Sequence, residues 1–275
     1  MLIRQIVLSD NEFNTIRTLV YDLCSIDLHP SKKALVQMRL SNRIRILGLN
    51  SFSEYLRWVA NDASGKELGA MVDSLTTNLT SFFRERPHFV YLTEKMSSLE
   101  VKRVPRLRIW SAGCSSGEEP YSIAMILRDL WSDIDAMDVR ILATDISSNM
   151  IRLARQGTYS AQKLEKVPFT FRQKYFGKVN TAKDEKYQVK PEVSRLVYFR
   201  RHNLTGPWPM KGPFEVIFCR NVMIYFDRVA QQELASRFYN ILSPGGVLIV
   251  GHSEGLTGLE HSFQYVRPSV YMKRS

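Results

Sequence analysis

The N-terminal part of the chain places apolar side chains at helical spacing. Between Phe13 and Leu23, and again between Pro30 and Gly48, apolar positions recur every three or four residues, which is the period of an amphipathic helix. A glycine directly after such a stripe is typical of a helix end. No segment before residue 76 alternates with strand period, so we predict an all-helical domain over residues 1–76. The apolar positions are Phe13, Ile16, Leu19, Val20 and Leu23, followed by Val36, Leu40, Ile44 and Leu47.

From Leu107 onward the pattern changes to short apolar strands that alternate with amphipathic helices. This alternation predicts an α/β fold with a doubly wound, mostly parallel sheet. The last two strand candidates flank Arg-Pro-Ser, which predicts an antiparallel hairpin at the sheet edge. The strand candidates are 107–111, 139–144, 196–200, 216–219, 247–251, 263–266 and 270–273.

Residues 156–195 interrupt the alternation of strands and helices. The segment is basic, and its short apolar stretches surround a polar loop at 177–186. We predict that it forms a small β-subdomain inserted into a second domain, which covers residues 77–275.

The segment 110–122 joins the first strand to a helix through a loop that contains Gly113 and Gly117. A strand, a glycine-bearing loop and a helix N-terminus form the architecture that binds the adenosine end of a cofactor. Glu118 and Glu119 open this helix, where a pyrophosphate would need bare amide groups. Carboxylates suit a ligand with positive charge and hydrogen-bond donors, so S-adenosylmethionine fits better than NAD. We expect one glutamate to face the ligand and the other to face solvent or cap the helix, and the spacing does not decide between them.

Two further strand ends carry polar side chains suited to the same ligand. Asp145 closes the second strand, where a carboxylate accepts hydrogen bonds from ribose hydroxyls; the alternative is an N-cap for the next helix. Arg220 and Asn221 end another apolar strand, and ligands of open α/β sheets bind at this edge. Tyr225 either projects its hydroxyl into the same crevice or is a buried structural tyrosine.

Polar residues also precede the sheet and follow its last parallel strand. The spacing of Asn78, Thr80 and Arg84 favours a helix capped by Asn78, with Arg84 on its surface. The segment His252-Ser-Glu254 lacks a nucleophile elbow, which argues against a hydrolase. No Walker lysine follows the glycine loop, which argues against an NTPase.

Composition and charge narrow the class of protein. Hydrophobic content of 44% and charged content of 24% are ordinary for a soluble globular protein, and no apolar run reaches the roughly 20 residues of a membrane span. Three cysteines and five histidines are scattered, so we expect neither a disulfide framework nor a metal site, and a cytoplasmic location. The net charge of +11 is concentrated in residues 151–213, which hold 14 Lys and Arg against 4 Asp and Glu. Such a patch either attracts a polyanion or serves only solubility.

Five motifs together resemble the CheR-type chemotaxis receptor methyltransferases, over essentially the whole chain. The resemblance implies a Rossmann-like domain that transfers a methyl group from S-adenosylmethionine to glutamate side chains of chemoreceptors, in chemotaxis adaptation, with S-adenosyl-L-homocysteine as product. The motifs are Leu75-Thr-Thr-Asn-Leu-Thr-Ser-Phe-Phe-Arg-Glu85, Ala112-Gly-Cys-Ser-Ser-Gly-Glu-Glu-Pro-Tyr-Ser122, Asn203-Leu204, Ile217-Phe-Cys-Arg-Asn-Val-Met-Ile-Tyr-Phe-Asp227 and Gly251-His-Ser-Glu254.

The resemblance assigns functional residues motif by motif. It implies that Glu119, rather than Glu118, contacts the cofactor, and it places Arg84 and Tyr225 near the methyl-transfer centre as catalytic residues. The cofactor contacts that it implies are Asn78, Thr80, Arg84, Glu119, Asp145, Asn203, Leu204, Arg220 and Asn221.

The resemblance also implies the partners. A basic N-terminal helix with Lys32, Arg39 and Arg43 would face the acidic methylation region of the chemoreceptor cytoplasmic helices, and the inserted subdomain would dock a receptor C-terminal peptide. The polar loop of this chain has only its leading glycine, Gly177, where the family pattern is richer in glycine. Neither nucleic acid nor membrane insertion is implied.

Two other functions are compatible with the residues alone. The positive charge, with aromatic and basic residues interleaved at 169–178, would suit a methyltransferase that acts on nucleic acid. A module that binds the cofactor or its product as a signal, without catalysis, would need the same glycine loop.

Overall fold

The computed structural model describes residues 6–100, 106–180 and 185–274. Their contacts separate into two units. The first comprises the chain up to residue 77 together with 225–230, and the second comprises 78–224 and 231–275.

The first unit is helical, as the spacing of apolar residues predicts. Ser9 caps the first helix, and its hydroxyl and the Glu12 carboxylate exchange hydrogen bonds with each other's backbone N–H groups. The later segment returns to this unit, because the Tyr225 carbonyl accepts the Asp27 amide at 2.9 Å and the Tyr21 hydroxyl donates to Asp227 at 2.6 Å. The helices are α1 Asp10–Cys24, α2 Lys33–Ile46, α3 Phe52–Asn61 and α4 Lys66–Leu75.

The second unit contains a seven-stranded sheet in the order β6-β2-β1-β7-β8-β10-β9. The first five strands in that order are parallel, and β10 runs antiparallel to both β8 and β9. The prediction of a mostly parallel, doubly wound sheet with an antiparallel edge hairpin is confirmed. The strands are β1 Arg106–Ala112, β2 Asp138–Asp145, β6 Val197–Arg201, β7 Phe214–Cys219, β8 Leu242–Val250, β9 Gln264–Arg267 and β10 Val270–Met272.

Helices alternate with the strands of this sheet along the chain. A glycine loop joins β1 to α6, and a short connection joins β2 to α7. Within the described residues, no helix combines the length and the apolar character needed to cross a membrane. The helices are α5 Arg86–Glu100, α6 Glu118–Leu130, α7 Ser148–Gln156, α8 Phe169–Tyr175, α9 Pro191–Ser194 and α10 Arg228–Ile241.

The segment after α7 contains a separate three-stranded antiparallel sheet in the order β3-β5-β4. Its strands are β3 Thr158–Ser160, β4 Phe176–Asn180 and β5 Glu185–Val189. Much of the expected polar loop at 177–186 is therefore strand, because β4 and β5 pair from Phe176 with Val189 as far as Asn180 with Glu185. Residues 181–184 of that loop lie outside the described residues.

Candidate functional site

The glycine loop after β1 can only be built with glycine. Gly113 and Gly117 have φ angles of +92° and +97°, which side chains with a Cβ rarely adopt. The amides of Gly113 and Cys114 both donate to the Thr144 carbonyl at 2.8 Å, which ties the loop to the end of β2. A Cβ on Gly113 would lie 2.3 Å from Val222 Cγ2. The loop therefore packs directly against the segment that follows β7.

Both glutamates at the start of α6 are buried. Glu119 accepts hydrogen bonds from Ser111 Oγ at 2.7 Å and from Arg220 Nη1 at 2.9 Å. Burial raises the pKa of Glu119, and the Arg220 guanidinium opposes that shift. Glu118 is fully buried and pairs with Lys163 Nζ at 2.8 Å. The expectation that one of these glutamates faces solvent or caps the helix was wrong, because both carboxylates are buried and Glu118 pairs with Lys163, whose own side chain is exposed.

Asp145 is fixed at the carboxyl end of β2. Its carboxylate accepts the Ser115 amide at 2.8 Å and the Ser147 amide at 2.9 Å. The N-cap of α7 is Ser147, whose hydroxyl accepts the Met150 amide at 3.1 Å. The alternative in which Asp145 caps this helix is therefore wrong, and Asp145 instead presents a buried carboxylate between the glycine loop and α7.

The carboxyl end of β6 lies beside that of β2. The His202 amide donates to the Asp145 carbonyl at 2.9 Å, and Asn203 and Leu204 follow directly. Leu204 is buried, and its carbonyl accepts the indole N–H of Trp208 at 2.7 Å. Asn203 and Leu204 are thus at the same sheet edge as Asp145, as strands that run parallel require.

Arg220, directly after β7, joins two carboxylates that are distant in sequence. Its side chain is 2% exposed, and its guanidinium lies 2.9 Å from Glu119 and 3.1 Å from Glu85. It also donates to the Arg84 carbonyl and lies over the Phe89 ring. Burial of a charged guanidinium costs desolvation energy, which nearby carboxylates must offset. The pairing with two carboxylates therefore fixes the position of Arg220.

Glu85 is held by several donors. Asn221 Nδ2 lies 3.2 Å from Glu85 Oε1, and the His252 amide donates to Oε2 at 3.1 Å. Burial alone would raise the pKa of Glu85, but the Arg220 guanidinium and these hydrogen bonds outweigh it and lower the pKa below its usual value. Glu85 is therefore an ionised member of the network, although no local pattern of residues marks it as one.

Glu254 ends the last of the five motifs, but neither its spacing nor the resemblance assigns it a role. Its carboxylate accepts four backbone amides: Asn221 at 2.6 Å, Gly251 at 2.6 Å, Val222 at 2.8 Å and Ile224 at 3.2 Å. Asn221 has a left-handed φ of +58°. A Cβ on Gly251 would lie 2.6 Å from Asn221 Nδ2. Glu254 and Gly251 therefore hold the turn that presents Asn221, and no local sequence pattern signals this.

Asn78, Thr80 and Arg84 lie in an irregular segment that ends where α5 begins. The φ angles of Phe83 and Glu85 are +52° and +57°, which no helix accommodates. Arg84 donates through Nη1 to a backbone carbonyl of the same segment at 2.8 Å. The expectation of a helix capped by Asn78 was therefore wrong, and Arg84 is half-buried rather than on a helix surface.

Tyr225 belongs to the first unit, unlike the other residues expected at the site. Its side chain is half-buried, and its hydroxyl lies 3.4 Å from the Thr77 carbonyl. A contact of that length leaves the hydroxyl weakly held.

The basic stripe on α2 is partly neutralised within the first unit. Arg43 makes two hydrogen bonds, at 2.7 and 2.5 Å, to Glu67, a buried carboxylate that also accepts the Tyr55 hydroxyl at 3.0 Å. Arg39 donates to the Leu75 carbonyl at 2.5 Å. Lys32 is exposed. The stripe thus offers less free charge than its sequence suggests, because Glu67 neutralises Arg43, whereas the carbonyl that holds Arg39 leaves its charge in place.

Folding brings two of the scattered histidines together. His88 and His252 have ring centroids 4.7 Å apart, and their nitrogens and a Glu85 oxygen lie within 4.8 Å of one another. Such a set could ligate a metal ion, but Arg220 already pairs with Glu85. We interpret the group as part of the polar network around Arg220.

Two family models match the chain. The model described as "CheR methyltransferase, all-alpha domain" covers residues 11–76, and "CheR methyltransferase, SAM binding domain" covers residues 78–272. This chain belongs to the CheR methyltransferase family. The resemblance inferred from the five motifs is thereby confirmed.

Several members of the CheR family are similar to this chain over nearly its whole length. The "Probable chemotaxis protein methyltransferase" of Rhizobium etli is 41% identical, with 92% of this chain and 96% of the relative covered. The "Chemotaxis protein methyltransferase 2" of Pseudomonas aeruginosa is 40% identical (94% and 92% covered). The "Chemotaxis protein methyltransferase" of Escherichia coli is 38% identical (97% and 92% covered).

The cofactor of the CheR family domain is S-adenosylmethionine, as predicted from the glycine loop. The residues at the sheet edge fit this ligand. Asp145 and Glu119 are buried carboxylates, and hydrogen bonds from other protein groups fix their orientations. Their oxygens are acceptors that match the hydroxyl and amino donors of the ligand. Gly113 and Gly117 place no side chain at their own two positions of the loop.

Proposed function

We propose that this protein transfers a methyl group from S-adenosylmethionine to glutamate side chains of chemoreceptor cytoplasmic helices, which forms methyl esters. The observation that carries the proposal is the buried pair Glu119–Arg220 at the carboxyl edge of the sheet, in a chain that belongs to the CheR family. The family also disfavours the nucleic-acid methyltransferase and the non-catalytic sensing module.

The reaction needs alignment more than proton transfer. S-adenosylmethionine supplies a methyl group on a sulfonium and leaves as the neutral thioether S-adenosyl-L-homocysteine. A glutamate side chain in water has a pKa of about 4.3, so the acceptor oxygen is already a nucleophile at neutral pH and no general base is required. Positioning of this kind can supply roughly 7–11 kcal/mol of a barrier.

We assign the cofactor contacts to the residues at the sheet edge and in the segment before α5. Asp145 is suited to accept ribose hydroxyl donors, while Glu119, held by Arg220, is suited to a cationic or N–H-bearing group. Asn221 presents an amide at the turn held by Glu254. The proposed contacts are Asn78, Thr80, Arg84, Glu119, Asp145, Asn203, Leu204, Arg220 and Asn221.

We assign orientation of the acceptor to Arg84 and Tyr225. The Arg84 side chain is 34% exposed, and a guanidinium can bind a carboxylate through two N–H groups without removing a proton. The Tyr225 hydroxyl can donate one hydrogen bond. The receptor helices would meet the basic stripe of Lys32, Arg39 and Arg43, although Arg43 is already paired with Glu67. Docking of a receptor C-terminal peptide at the β4–β5 hairpin stays a prediction.

The test is transfer of tritiated methyl groups to receptor-containing membranes, followed by alkali treatment. Methyl esters release the label in alkali, whereas stable label, or label in added nucleic acid, would contradict the proposal.

Arg84→Ala and Tyr225→Phe should lose most of the turnover and keep the unfolding midpoint of the native protein. Arg86→Ala and Tyr265→Phe are matched controls, because both side chains are exposed. Full turnover in Arg84→Ala and Tyr225→Phe would refute their roles.

A further inference from the structure

A groove in the second unit is lined by three arginines. It lies between α7 and the end of β6 and has a volume of about 410 Å³. Its lining residues are Ser148, Ile151, Arg152, Arg155, Gln156 and Arg201. We call it the α7 groove.

The three arginines are tethered but not neutralised. Arg155 Nη2 donates to the Phe199 carbonyl at 2.9 Å, and Arg201 Nε donates to the Ile146 carbonyl at 3.1 Å. Arg152 Nη2 donates to a side-chain amide oxygen on its own helix at 2.8 Å. Across the described ranges, none of the three lies within ion-pair distance of a carboxylate. Each guanidinium therefore keeps its full charge and has N–H donors beyond its tether.

This groove differs from the basic stripe on α2. There, Arg43 is neutralised by a carboxylate that is 7% exposed on its side chain. In the α7 groove, backbone carbonyls hold Arg155 and Arg201 in place without cancelling their charge. Pre-anchored side chains lose less conformational entropy when they bind an anion. Arg39 on the basic stripe is held by a carbonyl in the same way, but the α7 groove brings together three such guanidinium groups and is therefore the better prepared of the two surfaces for an acidic ligand.

We propose that the α7 groove binds an acidic segment of the methyl-accepting receptor. This inference rests on the proposed function, whose acceptor carries glutamate side chains that match the guanidinium forks. A protein segment is favoured over single-stranded nucleic acid because none of the described residues that line the groove carries an aromatic ring on which a base could stack.

The α7 groove adjoins the proposed cofactor residues of the same unit. Arg201 is paired in register with Asp145 across β6 and β2, and α7 begins three residues after Asp145. A receptor segment bound there would be retained beside the edge of the sheet at which the proposed contacts lie. The arginines of the α7 groove would therefore raise the affinity for the receptor and the rate of association, and would not affect the chemical step.

The test compares Arg152→Glu with Lys211→Glu, an equal charge reversal at an exposed position outside the groove. Binding is measured by co-sedimentation with receptor-containing membranes, without cofactor, and methyl transfer is measured separately. Arg152→Glu should weaken binding and raise KM for receptor roughly three- to tenfold, with a shallower salt dependence. The kcat and the cofactor Kd of this variant should stay within about twofold of the native values. Its unfolding midpoint should be unchanged, since Arg152 is exposed.

Other results overturn the inference. Binding like that of the native protein in both Arg152→Glu and the double variant Arg152→Glu/Arg201→Ala would do so. A parallel loss of cofactor affinity would assign the groove to the cofactor instead, and lost binding to single-stranded DNA with unchanged receptor binding would assign it to nucleic acid. If the native protein binds receptor membranes but transfers no methyl group, the proposed function is refuted and the inference about the α7 groove is not. If it binds no receptor membranes, both are refuted.

Discussion

The carboxylate of Glu254 accepts the backbone amide of Asn221 at 2.6 Å, although 33 positions separate the two residues. Three further amides converge on the same carboxylate. This one side chain therefore fixes the backbone that presents a proposed cofactor contact, and it does so through charge rather than shape.

Replacement of Glu254 should damage both stability and cofactor binding. Glu254→Gln removes the negative charge and points an amide donor at amide donors, so we expect a loss of about 1.5–3 kcal/mol in the free energy of unfolding. The affinity for S-adenosyl-L-homocysteine should also fall. Urea denaturation and calorimetric titration measure the two effects. Glu260→Gln is the control, because that side chain is exposed; equal behaviour of the two variants would contradict the role of Glu254.

Loss of Arg220 should be among the most destabilising changes in the second unit. Arg220→Ala leaves Glu85 and Glu119 without their shared guanidinium, and removal of one partner from a buried ion pair costs about 3–5 kcal/mol. Urea denaturation checks this. Addition of Glu119→Gln should recover part of the loss, because one unpaired charge is removed. Additive losses in the double variant would show that the two residues are not coupled.

Arg43 should behave as a structural residue of the first unit. Arg43→Ala removes the cation that neutralises the buried Glu67 carboxylate and leaves it the Tyr55 hydroxyl, so we expect a loss of about 2–3 kcal/mol in the free energy of unfolding, less than for a fully buried pair. Lys32→Ala, at an exposed position, should change it little. Thermal unfolding of the two variants separates the cases. A slowed receptor methylation in Arg43→Glu must therefore be compared with its stability before it is assigned to lost charge.

His88 should make stability fall in mild acid. Burial, with the nearby Arg220 guanidinium, lowers the pKa of His88 to about 4, and Glu85 only partly opposes this. In the unfolded chain the residue protonates near pH 6.5, so its contribution to stability is present above that value and is lost as the pH falls towards 4. Between pH 7 and pH 5 the loss should be roughly 1–2 kcal/mol.

His88→Gln is the test of that pH dependence. Urea denaturation at pH 7 and pH 5 should show a smaller drop for the variant than for the native protein. His261→Gln is the control, because His261 is exposed. A drop of the same size in His88→Gln would assign the pH dependence to other groups.

The order of elements and the position of the glycine loop could be predicted from local patterns. Alternation of apolar strands and helices after Leu107 predicts the sheet, and Gly113 and Gly117 mark the loop because only glycine adopts their backbone angles. One rule, that ligands of such sheets bind at the carboxyl ends of strands, predicts Asp145 and Asn221 as cofactor contacts, and both residues do lie at strand ends. Each strand, helix or loop in this prediction depends on residues close to one another in the sequence.

The partners of the charged groups were decided by the tertiary structure alone. Glu118 pairs with Lys163, Arg43 with Glu67, and Arg220 with both Glu85 and Glu119, while the charges in the α7 groove stay unpaired within the described chain.

The physical reason is that these contacts join segments far apart in the sequence. Periodicity shows which face of an element is buried, but a carboxylate is ionised, paired or exposed according to what packs against it from other elements. The sequence by itself thus determines the family, the helical and α/β domains and the position of the glycine loop. Which charges hold the fold and which remain available for a partner is settled only when strands and helices pack.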